Sequence, residues 1–191
     1  RGFPGSVRVH GKLWWDEEDD RTSLASDSPY KHVRTIEESI EVLWRGFGHA
    51  LTHNGGLWFM DQQGTWYRHE ALVQTFEQMQ RVGAQSIQRV RTRTSEVAVV
   101  ASLRTAFHLA DRAGGLDAVT HLLMEPQLAQ LACCGAPFDL YWMDDLFEAT
   151  VPPYKVYIFL DAFYMSDADL AHVIALRETG QTLLFFYAPA F

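Results

Sequence analysis

Gly11-Lys-Leu-Trp-Trp-Asp-Glu-Glu-Asp-Asp-Arg-Thr-Ser-Leu24 is the stretch that decides the predicted fold. It starts with aromatic residues typical of a strand and continues into an unbroken acidic run, Asp16–Asp20, followed by Arg21. Like charges packed this closely repel one another, so an ordinary folded surface gains little from them. Two interpretations stay open. One is a carbohydrate pocket in which a carboxylate is nucleophile or general base beside Trp14 and Trp15. The other is a solvated turn, or an acidic helix N-terminus at the end of a strand.

The residues around this stretch predict alternating strands and helices. Residues 7–16 predict a buried strand that reaches the acidic run. The capping box Thr35-Ile-Glu-Glu38 predicts the start of a helix, and apolar residues at three- and four-residue steps carry it to about Thr52. Leu57–Met60 predicts a second strand, wholly apolar, as expected for a strand buried on both faces. Glu70 to about Val82 predicts another helix.

Residues 1–83 therefore read as strand, helix, strand, helix, with a carboxylate after each strand. The second strand ends at Asp61, which begins a polar loop containing Trp66. This pattern is typical of parallel βα units, in which polar residues at the carboxyl ends of the strands are candidates for a site.

A polar connection, residues 84–95, precedes a second domain over residues 96–191. Helical sequence is predicted from about Gly115 to Met124, with a restart at Pro126 that runs to about Cys133. Ser166 with Asp169 predicts a further helix start. Strands are predicted at Val97–Val100, Phe138–Trp142, Val156–Leu160 and Thr182–Tyr187. This half is predicted as an open α/β unit, most simply a flavodoxin-like parallel sheet.

Composition and charge exclude several classes of protein. The 191 residues carry a net charge of -8 and no basic stripe, so we expect no nucleic-acid partner. No apolar run reaches the ~18 residues that span a bilayer, so we expect no membrane partner. The adjacent Cys133 and Cys134 favour a reducing compartment, and Arg1–Gly5 is no signal peptide. We therefore expect a cytoplasmic protein, and the missing initiator methionine suggests an excerpt of a longer chain.

Neither a cofactor nor a metal is expected. The segment after Val97–Val100, Ala101-Ser-Leu-Arg104, lacks the glycines of a phosphate-binding loop. His49 and His53 lie four residues apart on the first predicted helix, but no third metal ligand accompanies them.

The order of these segments resembles glycoside hydrolase family 42 β-galactosidases and their relatives. Lys12–Thr22 resembles strand seven of their (β/α)8 barrel with its loop, and Thr52–Asp61 resembles the helix end before strand eight and strand eight itself. Gly135–Tyr141 and Tyr154–Leu160 resemble the trimerisation domain of that family, which is similar to class I glutamine amidotransferases. The resemblance implies the last two βα units of a TIM-type barrel followed by a flavodoxin-like domain, and a homo-oligomer, by resemblance a trimer.

The resemblance also implies site residues and a carbohydrate substrate. The family's nucleophile, a Glu at the end of strand seven, matches Glu17, with Asp16 and Glu18 as alternatives in register. The remaining expected substrate contacts are three residues for sugar hydroxyls, Asp19, Arg21 and Asp61, and three stacking faces, Trp15, Trp58 and Trp66.

Two features depart from the family pattern. The acidic run is denser than the family's usual segment, and the general acid, which the family carries on strand four, has no counterpart here. We therefore expect this excerpt to be inactive alone, although the parent would be a retaining glycosidase of β-linked substrates. The alternative is a non-catalytic oligomerisation module. An amidotransferase is disfavoured because no Cys occupies a strand-to-helix elbow.

Overall fold

The computed structural model describes residues 2–26, 30–89, 94–109 and 118–190. The chain divides into two compact units, one of residues 13–92 and the other of residues 1–12 together with 93–191. The helices are α1 (Pro4–Val9), α2 (Ile36–Thr52), α3 (Glu70–Ile87), α4 (Leu103–His108), α5 (Ala118–Cys133) and α6 (Asp167–Glu178). The strands are β1 (Trp15–Glu18), β2 (Gly56–Phe59), β3 (Val97–Ala101), β4 (Phe138–Trp142), β5 (Val156–Phe159) and β6 (Thr182–Phe185).

In the unit of residues 13–92, β1 and β2 form a parallel pair with Trp15 opposite Gly56 and Glu18 opposite Phe59. The predicted helix after β1 is confirmed as α2. Its capping box is complete, since the Thr35 hydroxyl accepts a hydrogen bond from the Glu38 N–H and the Glu38 carboxylate accepts one from the Thr35 N–H. The core between α2, α3 and the strands is formed by buried Leu43, Leu72 and Met79 with Ile36, Ile40, Trp44, Phe47, Phe59, Tyr67 and Phe76 around them.

The prediction that the second strand is buried on both faces is wrong for this unit. Leu57 and Phe59 are partly buried, but Trp58 keeps 41% of its surface exposed. Side chains alternate across a strand, and the Phe59 side packs into the core that α2 and α3 form, so Trp58 points to the other side.

The second unit contains a four-stranded, wholly parallel sheet in the order β4-β3-β5-β6. The four predicted strands are confirmed, within two residues at their ends. Both faces of the sheet are covered by apolar side chains: one core includes Ala98, Val100, Tyr141 and Phe159, and the other includes Val99, Ile158 and Leu160. The chain is therefore an α/β protein built on parallel sheets.

The predicted strand over residues 7–16 is wrong, because residues 4–9 form α1 and β1 begins only at Trp15. Pro4 lies in the first turn of α1, where its missing N–H costs nothing, and Gly11 follows the helix with φ +67°. The helix packs on β4: the Ser6 hydroxyl accepts the Trp142 N–H at 2.8 Å.

Two boundaries differ from the prediction, the first because α1 packs on the distant β4 and the second because an exposed turn of α5 accommodates a proline. Residues 1–12 join the unit of residues 93–191, and were expected in the first domain. Pro126 lies inside α5, which continues from Ala118 to Cys133 without the predicted restart. Leu122, whose carbonyl would otherwise pair with the missing N–H, is 62% exposed, so water can satisfy that carbonyl. The predicted start at Gly115 lies outside the described residues.

Two further findings concern the predicted connection between the domains and the expected absence of a membrane span. α3 runs to Ile87 and so takes up the start of the predicted connection over residues 84–95, of which residues 90–93 lie outside the described part. In the described part of the chain, no helix is both long enough and apolar enough to cross a bilayer.

Candidate functional site

The parallel pair β1–β2 has two faces of different character. Neighbours in register on parallel strands point to the same side, so Trp15 and Glu17 share a face with Trp58. We call these three residues the open face. Asp16 and Glu18 point to the opposite side, which α2 and α3 cover.

The open face places a carboxylate beside two exposed indoles. Trp15 is 60% exposed, Trp58 is 41% exposed and the register partner of Trp58 is the exposed Glu17. Gly56 makes room for the Trp15 ring, since a Cβ there would lie 2.7 Å from Cζ3 of that ring. Aromatic faces next to a carboxylate can stack on the apolar side of a ring-shaped polar ligand while the carboxylate reaches its hydroxyls or its reactive carbon.

Three carboxylates on the covered side face a single stretch of α2. Asp16 lies 3.3 Å from the His49 imidazole, and Asp20 lies 3.5 Å from the Arg45 guanidinium. Between them, Glu18 faces Gly46. Burial raises the pKa of Glu18 to about 7, helped by the charge of Asp20 and a hydrogen bond with it and by the charge of Asp16.

The loop after β1 is held by the guanidinium of Arg21. It lies over the rings of Tyr30, at 5.1 Å, and Trp66, at 5.2 Å, and 3.8 Å from the Asp19 carboxylate. Arg21 keeps only 15% of its side chain exposed, whereas Asp19 keeps 48%. The Thr22 hydroxyl adds a hydrogen bond to the Trp66 carbonyl, so this loop is joined to the loop after β2.

Two predicted site residues have structural partners. One Asp61 oxygen accepts the N–H groups of Gln63 and Thr65 and the other accepts that of Trp66, each at 3.2 Å, which organises the loop after β2. Trp66 itself is 1% exposed and donates its indole N–H to Gln63. The expectation that Trp66 offers a stacking face is therefore wrong, because its ring is part of the core of that loop.

The structure thus separates the predicted residues into two groups. Trp15, Glu17 and Trp58 lie together on the open face, while Asp19, Arg21, Asp61 and Trp66 belong to the two loops. Sequence reasoning missed that Glu18 pairs with a glycine of the helix. The available signal was the alternation of side chains along a strand, which places Glu17 and Glu18 on opposite faces once β1 is located.

A metal centre has little support among the described residues. The rings of His49 and His53 lie 4.4 Å apart, but no group of three His, Cys, Asp or Glu side chains in the described ranges is arranged to hold an ion.

Comparison with known proteins gives few relatives. No family model matches the chain, and no curated protein matches it. Among solved structures, a β-galactosidase from Bifidobacterium adolescentis is similar with 15% sequence identity and a TM-score of 0.40, over 50% of this chain and 42% of that one. The match therefore spans less than half the length of that structure.

Proposed function

We propose that this chain is part of a glycoside hydrolase that acts on β-linked glycosides with retention of configuration, in the manner of a β-galactosidase. The observation that supports this proposal is the open face: the exposed Glu17 shares one face of a parallel strand pair with two exposed indoles, near the carboxyl end of the pair. That end of parallel βα units is where side chains from successive strands converge on substrates.

Glu17 is the best nucleophile candidate among the three alternatives in register. Asp16 and Glu18 point towards α2, whereas Glu17 points to the side that carries the aromatic faces. Glu17 would attack the anomeric carbon, and a second carboxyl group about 5 Å away would protonate the leaving oxygen. By the family resemblance this acid comes from an upstream strand, so the chain alone supplies one half of the pair.

The proposed substrate contacts follow from exposure. Trp15 and Trp58 would stack on the sugar, and Asp19, with 48% of its side chain exposed, would bind a hydroxyl. Arg21 and Asp61 act in the proposal by holding the two loops, because their polar atoms already have partners within the unit.

Binding by the chain alone tests the proposal. Methyl β-galactoside should give saturation-transfer signals in NMR, and Trp15→Ala or Trp58→Ala should weaken binding by about fivefold. Phe107→Ala, a control that removes an 85% exposed ring from the other unit, should leave binding unchanged. Absent binding, or equal loss in all three variants, would contradict the proposal.

A hydrolysis assay tests whether the chain supplies only one of the two catalytic carboxyl groups. We expect no turnover of aryl β-galactosides by this chain, because one carboxylate does not complete the retaining mechanism. Turnover that disappears in Glu17→Gln would show that the acid lies within the chain and would overturn that part of the proposal.

The second unit would serve assembly in the proposed protein. Its first strand in sequence, β3, lies inside the sheet with β4 on one side and β5 on the other. This strand order supports a flavodoxin-like arrangement. The exposed Phe107 and Leu122, at 85% and 62%, favour the alternative function, a non-catalytic oligomerisation module. Analytical ultracentrifugation of the chain and of Phe107→Asp distinguishes them: an oligomer that dissociates in the variant, together with no sugar binding, would favour the module.

A further inference from the structure

Where β1 and the residues after it meet α2, two of three carboxylates have a basic partner on the helix and the third faces a glycine. Asp16 and Asp20 each have a partner on the helix, His49 at 3.3 Å and Arg45 at 3.5 Å. Glu18, which lies between them in sequence and on the same side, meets Gly46. A Cβ at position 46 would lie 2.7 Å from Oε2 of Glu18, so the carboxyl group occupies the space where any other residue would carry its side chain.

This arrangement disfavours a third negative charge. An ionised Glu18 would sit half-buried between two carboxylates, and the helix offers it no cation of its own. The titratable and charged groups facing it are Asp16 and Asp20 from the strand and its continuation, Arg45 and His49 from α2, and Tyr67 from the loop after β2. Of these, Arg45 opposes the effect of the acidic neighbours and is already paired with Asp20.

We infer that Glu18 makes the β1–α2 contact pH-sensitive: the neutral carboxyl keeps the strand packed on the helix, and its ionisation loosens that packing. The neutral group can share its proton with Asp20, with which it is hydrogen-bonded, and it needs no cationic partner. The ionised group adds repulsion from both neighbouring carboxylates at the same place.

The sign of the effect follows from the two states. Burial raises the pKa of folded Glu18 to about 7, above its ordinary value of 4.5. The stabilisation is therefore complete below about pH 4.5 and is lost as the pH rises through about 7. Because Glu17 directly precedes Glu18 on β1, the same change would alter how firmly the open face is held. That last step alone rests on the proposed function.

Amide hydrogen exchange measures this contact without any sugar. The Met60 N–H donates to the Glu18 carbonyl at 3.1 Å and so reports on β1. After correction for the intrinsic pH dependence of exchange, we expect its protection factor in the full chain to fall at least tenfold between pH 5.5 and 8.5. Glu18→Gln, which stays neutral, should reduce this fall to within about twofold. Glu41→Gln, which removes an exposed carboxylate from α2, should retain the full fall.

Two results would overturn the inference. One is a protection factor in the wild-type chain that does not change over this pH range; the other is a fall of wild-type size in Glu18→Gln. If Glu18→Gln does not fold, a carbon-13 titration of the Glu18 carboxyl in the unmodified chain decides, since a midpoint above pH 6 supports the inference and one near 4.5 contradicts it. Failure of sugar binding would leave all these outcomes as they are, so the two proposals fail separately.

Discussion

At the scale of single residues, the shape of the open face depends on Gly56. The Trp15 ring lies against it, and a methyl group there would be 2.7 Å from Cζ3 of that ring. We expect Gly56→Ala to displace the indole and to lower the free energy of unfolding by about 1 kcal/mol, the low end for overpacking because Trp15 can swing towards solvent. Urea unfolding and tryptophan fluorescence measure both effects.

The matched control is Gly48→Ala on α2, where a Cβ meets nothing within 4 Å. Alanine is the better helix former, so this variant should gain up to about 1 kcal/mol. Equal behaviour of the two variants would mean that the Trp15 ring does not rest on Gly56.

Asp161 gives the second unit a pH dependence of its own. The residue is 2% exposed and accepts the Ser102 N–H at 2.7 Å; burial raises its pKa to about 6, against the lowering effect of that hydrogen bond. Its contribution to stability is therefore present below about pH 4 and is lost as the pH rises through about 6. Asp161→Asn should remove that loss, so the variant should gain stability relative to the wild type between pH 5 and pH 8, by about 1 kcal/mol.

Urea unfolding at the two pH values gives the comparison. Asp167→Asn, which changes an exposed residue at the start of α6, is the control and should not alter the pH dependence by more than about 0.5 kcal/mol. A variant Asp161→Asn that tracks the wild type at both pH values would contradict the expectation.

At the scale of elements, the start of α2 depends on the side chain of Thr35. Its hydroxyl accepts the Glu38 N–H at 3.1 Å. Thr35→Ala should cost about 1 kcal/mol of unfolding free energy, measured by thermal or urea denaturation. Thr52→Ala changes the other end of the same helix, where the hydroxyl bonds carbonyls of the preceding turn, and should cost under about 0.5 kcal/mol. A cost at Thr35 no larger than at Thr52 would mean that the capping box does not hold the helix.

Elements with strong local signals were predictable, and those decided by competing signals were not. The capping boxes at Thr35 and Ser166 locate α2 and α6 because both hydrogen-bond partners lie within three residues. Alternating Val7-Arg-Val-His10 favoured a strand, yet Pro4 and Gly11 bracket a helix. The helix prevails because its buried side finds β4, a contact that no local pattern contains.

At the scale of the whole molecule, the alternation of strands and helices was enough to predict parallel α/β architecture. The candidate site was predictable in part: the family resemblance implied Glu17, Trp15 and Trp58, and the register of β1 and β2 puts these three residues on one face. Trp66 was misjudged because an indole looks the same in sequence whether it faces solvent or lies against an Arg21 guanidinium. Burial of that kind depends on the meeting of two loops 44 residues apart.

The packing of α1 on β4 also sets an order of events during synthesis. Ser6 accepts a hydrogen bond from Trp142, which lies 136 residues later in the chain. At translation rates of about 5–20 residues per second, the ribosome needs roughly 7 to 30 seconds to make that interval. Residues 13–92, which form their own compact unit, emerge complete within it. The first helix can therefore dock on β4 only after all of residues 13–92 have been synthesised.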